Sequence, residues 1–147
     1  MLRQLLFGGV ISLGNIALHA VVTTGVVAAG RSASRWDQRR PQLWLTCVMI
    51  AAVGILMAAH LTEVMLWSLS YAVLDVAPPG TDLVYFAFVN YTTLGYGDIL
   101  PNERWRLLGP MAAMNGVLLF GWSTAVIFEV LIQAVRRRDR RELVGSK

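Results

Sequence analysis

The stretch Thr92-Thr93-Leu94-Gly95-Tyr96-Gly97-Asp98 holds the residue types in this chain whose spacing can do chemistry. Glycine reaches positive φ without steric cost, so glycines at alternate positions let an extended backbone turn successive carbonyl oxygens to the same side. Such a row of dipoles needs a positive partner. In a bilayer, where water supplies no donors, a dehydrated cation on a shared axis fills that role. One chain supplies one strand, and a closed cage of oxygens needs several. Gly-Tyr-Gly-Asp is equally an ordinary turn sequence, so its meaning depends on the elements that position it.

Those elements belong in a membrane. Of 147 residues, 56% are hydrophobic and 15% charged, with a mean hydropathy of +0.55, which leaves too little polar surface to cover a water-soluble globule. Three uncharged runs, 4–30, 41–62 (extending past Glu63 to Leu74) and 107–128, each exceed the roughly 20 helical residues that cross about 30 Å of hydrocarbon. They predict three transmembrane helices. A fourth run, 83–97, has only 15 residues and contains the motif, which suits a re-entrant segment walled by protein. Pro78-Pro79-Gly80 stops the second helix, and Thr81 or Asp82 can cap a short helix over about 82–92 that carries Tyr85, Phe86, Phe88 and Tyr91. Its carboxyl end directs partial negative charge into the membrane and favours a cation there. Pro110 falls in the first turn or so of the last helix, where its missing donor costs least.

Charge orients the chain. The linker 31–42 has four arginines against Asp37, and the tail 136–147 has five arginines and Lys147 against Asp139 and Glu142. Both are expected on the cytoplasmic side. Asp75, Asp82, Asp98 and Glu103 outnumber Arg104 and Arg106 between the second and third spans, placing the re-entrant segment outside and, with three spans, the N-terminus outside too. The first run is longer than a usual signal core, and cleavage after it would leave the arginine-rich linker outside, so it is read as a retained helix. The net charge of +4 sits at the ends of apolar runs and is not interleaved with aromatics, which argues against a nucleic-acid partner. Arg136, Arg137, Arg138, Arg140 and Arg141 read as a topology anchor, with anionic lipid as a second reading. Cys47, the single cysteine, excludes an intrachain disulfide and reads as a small core residue. No span carries arginines at every third position, so a voltage sensor is not expected.

With the motif set behind a short aromatic helix and followed by Pro101 and a third span, residues 43–135 resemble the pore module of tetrameric potassium channels. The resemblance implies an all-α membrane fold of three transmembrane helices with a re-entrant pore helix and filter loop, assembled with three identical subunits as a homotetramer. It implies an outer helix over 43–75, a pore helix near 82–92, a filter over 93–97 and an inner helix near 105–135. Residues 1–30 form an additional peripheral span, 31–42 a basic linker and 136–147 a basic tail. It implies K⁺ coordination by the carbonyls of Thr93, Leu94, Gly95 and Tyr96 and by the Thr93 hydroxyl, with Gly97 completing the filter and Thr92 and Asp98 at its ends. Leu94 departs mildly from the family's more frequent valine or isoleucine, and Tyr96 argues for potassium selectivity. Where many members have a glutamate bonded to the filter aspartate this chain has Val89, so Asp98 needs another partner; the Tyr85 hydroxyl stands where the family often has a tryptophan, and packing is its competing role. The expected activity is passive K⁺ conduction across a plasma membrane, with no cofactor beyond the permeant ion and no catalysis. The competing class is an accessory subunit that retains the motif without conducting.

Other residues have two readings each. Gly116 and then Gly121 are candidates for an inner-helix hinge, as the family resemblance implies, or for close helix packing. Glu129 forms either an inner-cavity ring or a structural pair with Arg136. His60 and Glu63 share a helical face, while Asn15 and His19 lie near the middle of the first span; Asn15 and His60 fall at similar depth, which predicts a bond between them. This polar cluster reads mainly as glue between helices, and alternatively as a metal or proton-handling site with a pH response. No nucleophile is paired with a base.

Overall fold

The structure, a computed structural model, describes residues 1–32 and 41–145, with side chains placed for 1–30 and 42–136. The greater part of the expected basic linker lies outside the described residues, as do the side chains of Arg137, Arg138, Arg140 and Arg141. The described residues form four helices and no strand: α1 (Leu2–Ser32), α2 (Pro41–Leu74), α3 (Leu83–Tyr91) and α4 (Leu108–Gly145). Three segments, Leu2–Gly30, Gln42–Leu74 and Glu103–Arg136, are long and apolar enough to cross a membrane. The fold is all-α and of the multi-pass membrane class.

Helix ends follow local chemistry. Pro41 opens α2, where a missing N–H costs nothing. Asp75 stops it with φ of 53°; its N–H reaches the Ala72 carbonyl at 3.3 Å, and the Val76 N–H reaches Tyr71 at 3.0 Å. This is a Schellman ending, with Val76 and Tyr71 buried together as its apolar contact. Asp82 caps α3, its carboxylate accepting from the amides of Val84 and Tyr85 at 3.0 and 3.1 Å. A single 3-10 turn, Glu103–Trp105, precedes α4, which therefore starts at Leu108 and not near 105. At its other end α4 runs to Gly145, about ten residues beyond the expected limit, because the arginine-rich stretch is a good helix former that lacks proline or glycine until Gly145.

Two compact units are distinguished, residues Met1–His19 with Ala59–Gly121, and Ala20–Ala58 with Trp122–Lys147. In the first, Trp67, Tyr71, Phe86, Tyr91 and Leu108 are buried in one cluster of α2, α3 and α4. Because lipid is as apolar as these side chains, close packing and hydrogen bonds hold such a cluster together. The start of α1 joins it: the Gln4 side chain accepts from the Leu107 amide at 2.8 Å, Phe7 meets Trp105 edge to face, and the Arg3 guanidinium lies 5.7 Å from the Trp105 ring. The segment between α2 and α4 is closed at its base, where the Asn102 amide donates to Val76 at 2.7 Å and its side chain to the Asp75 carbonyl, beside the Arg104–Asp75 ion pair.

The second unit is apolar helix packing, with Val26, Ala52, Leu56, Val126 and Val130 at its centre. Cys47 is exposed on α2 in the single chain, which corrects its expected place in a core: α2 is apolar all round, so composition does not tell its packed face from its outer one.

Gly116 packs tightly against α3. A Cβ there would fall on the Tyr91 carbonyl oxygen, whereas nothing lies within 4 Å of one at Gly121. Gly116→Ala is expected to lower the thermal midpoint of the purified protein, at a cost of about 1–3 kcal/mol. Gly121→Ala should leave it unchanged or raise it, since alanine favours helix by roughly 0.5–1 kcal/mol; an equal loss in both would refute the packing role.

Candidate ion-conduction site

The motif begins where α3 ends. The Thr92 amide still bonds the Phe88 carbonyl at 2.9 Å and its hydroxyl the same oxygen at 2.7 Å. The backbone then alternates: Thr93, Gly95 and Gly97 have φ of 61°, 57° and 75°, while Leu94 and Tyr96 do not enter the positive range. The alternation anticipated from the two glycines thus starts one turn of the pattern earlier, at a threonine. A β-branched residue there costs about 1–3 kcal/mol and persists only when its surroundings hold it. They do: Thr93 N–H donates to Asn90 at 3.0 Å, and the amides of Leu94 and Gly95 converge on the Val89 carbonyl at 3.0 and 3.4 Å. Val89 has no polar side chain and supports the segment through its main chain.

All residues from Thr92 to Asp98 are exposed in the single chain, Tyr96 by 69% and Leu94 by 53%. At the far end the Tyr85 hydroxyl donates to the Asp98 carboxylate at 2.8 Å, the partner sought from the sequence. That bond to the carboxylate, the larger influence, holds the Tyr85 phenol above its ordinary range.

Behind α3 lies a buried polar cluster. Glu63 is fully buried and its two carboxylate oxygens are shared out. His19 Nδ1 lies 2.8 Å from Oε1 and His60 Nδ1 3.0 Å from Oε2, while the Tyr91 hydroxyl donates to Oε2. His60 Nδ1 is also 3.0 Å from the Tyr91 oxygen, and the Phe120 ring covers His60 at 4.6 Å. Asn15 does not meet His60: its amide donates to Asn115 Oδ1 at 3.0 Å and to the Glu63 carbonyl at 3.4 Å, and Trp67 Nε1 donates to the same Asn115 oxygen. Depth alone left the direction around the helix open, and Asn115, an amide at mid-span, was the stronger partner. Asn115, Trp67 and Tyr91 were missed; the polar atoms of Asn115 inside an apolar run were the available signal.

His19, His60 and Glu63 offer ligand atoms within 4.8 Å of one another. Tetrahedral ligands about 2.0–2.1 Å from zinc stand roughly 3.3 Å apart, wider than the 2.8 and 3.0 Å separations here. The geometry is that of N–H···O hydrogen bonds.

Of the remaining candidates, Glu129 is exposed and accepts from Gln133 one turn along α4, not from Arg136. Gly121 lies in open helix and Gly116 at the α3 contact.

No curated protein and no solved structure matches the chain. The profile of a family described as "Ion channel" matches residues 59–133, half of the chain, and covers the end of α2, all of α3, the motif and α4 as far as Gln133. With a short capped helix, an alternating exposed segment and part of each flanking span inside that match, this chain belongs to the ion channel family.

Proposed function

We propose that the chain is a potassium-selective channel, in which four copies of Thr93-Leu94-Gly95-Tyr96-Gly97 surround one axis and conduct K⁺ passively. The observation that carries the reading is the alternating φ at 93, 95 and 97 in a segment whose every residue is exposed in the single chain. Irregular backbone at membrane depth is tolerated only where it is covered by protein or lines a wet passage, and identical copies about a symmetry axis supply both. The signs of φ support carbonyls turned toward that axis, where they replace an ion's water shell. The carboxyl end of α3 adds partial negative charge beneath the segment.

On this reading Thr92 closes the inner end of the filter, Asp98 stands at its mouth and Tyr85 fixes Asp98 from behind. Glu129, exposed on α4, is a candidate to face the inner cavity. The arginines after Val135 hold that end on the cytoplasmic side of a plasma membrane, with anionic lipid as their partner, and the N-terminus lies outside.

Purified chain in potassium-loaded liposomes is expected to release K⁺ in preference to Na⁺, and an absence of flux would favour the accessory-subunit alternative. In the same assay Gly95→Ala should lower flux by about tenfold or more, because an L side chain at φ of 57° either strains the filter or turns its carbonyls. Tyr85→Phe should assemble normally yet inactivate faster in bilayer recordings; currents of wild-type duration would remove Tyr85 from the filter's support.

A further inference from the structure

The carboxylate of Glu63 lies deep among four helices, and one of its hydrogen bonds ends on Tyr91, the last residue of α3, two positions before Thr93. Tyr91 is fully buried and held on two sides. Its carbonyl oxygen occupies the space a side chain at 116 would need, and its hydroxyl bonds Glu63 Oε2. Its ring stands edge to face with Phe120 at 5.5 Å. Two residues further on, Thr93 adopts its strained φ. Removing the hydroxyl bond frees one of these two sides.

We propose that Glu63 is the positioning residue of the filter entrance, acting through Tyr91, and that His19 and His60 make this anchor responsive to protons. The inference deepens the channel reading, on which its functional half rests.

Both imidazoles present Nδ1 to the carboxylate, so with hydrogens on those nitrogens an ionised Glu63 accepts from His19, His60 and Tyr91 at once. The facing titratable groups are His19 on α1, His60 on α2 and Tyr91 on α3, while α4 presents Asn115 and Phe120, which do not titrate. A proton added to Glu63 turns an acceptor oxygen into a donor, and one of the three bonds is given up. A proton added to His19 draws the carboxylate by Oε1 toward that ring and away from the phenol on Oε2, and one added to His60 makes that ring, 3.0 Å from both Oε2 and the Tyr91 oxygen, the stronger competitor for Oε2. Acidification by either route weakens the hold on Tyr91.

The test combines K⁺ flux from liposomes with hydrogen exchange of the peptide covering 88–98, which includes the Leu94 and Gly95 amides on Val89. Tyr91→Phe keeps the ring and removes only the hydroxyl, so it is preferred to Glu63→Gln, which disturbs three bonds. It is expected to speed exchange in this peptide by about tenfold, the loss of one hydrogen bond to a charged group. Between about pH 8 and pH 5, wild-type exchange, corrected for its intrinsic rate, should rise and flux should fall. In the double variant His19→Gln and His60→Gln, which keeps amide donors without titration, both pH responses should flatten. Unchanged exchange in Tyr91→Phe, or a full pH response in the double variant, overturns the proposal. Faster exchange in a chain that passes no K⁺ would sustain the positioning role and refute the channel reading.

Discussion

Backbone carbonyls without donors cannot rest in hydrocarbon, and the structure answers that constraint. Three long helices satisfy their own peptide groups, so they need nothing from one another on that account. The segment after α3 is different. It leaves the helix and alternates φ at 93, 95 and 97, with its side chains exposed in the single chain. The features around it serve to make this departure tolerable: the capped short helix, the convergence of two amides on Val89, and the Tyr85–Asp98 bond.

The way the segment is held is more a matter of main chain and phenol groups than of carboxylates. Val89 contributes its carbonyl, Tyr85 and Tyr91 their hydroxyls. Glu63 carries the cluster's carboxylate, one helix removed from the alternating segment, with α1 providing His19 and Asn15. Those two residues lie outside the part of the chain that matches the ion channel family. The first helix is therefore tied to the pore unit by buried polar bonds in addition to surface packing, and such bonds specify one arrangement of helices where apolar faces alone would accept several.

Much of this was legible in the sequence because it is local. Run length separated spans from the re-entrant segment, and Pro78-Pro79-Gly80 and Asp82 marked its start; the pairing of Tyr85 with Asp98 came from the family resemblance, with packing as its competing role. What was not legible is azimuthal or long-range. Asn15 finds Asn115, one hundred positions away, because both face inward, and nothing in an apolar run records that direction. Cys47 was misplaced for the same reason. The positive φ of Thr93 could not be read from residue type, since threonine disfavours it; only the surrounding bonds impose it.

The clamp at the base of the re-entrant segment has a consequence for folding. Asp75, Asn102 and Arg104 hold together the two ends of the excursion between α2 and α4, so the entropy of closing that loop is met by contacts within one chain. The excursion is thereby pinned where it leaves α2 and where it enters α4, and the backbone between them starts from anchored ends.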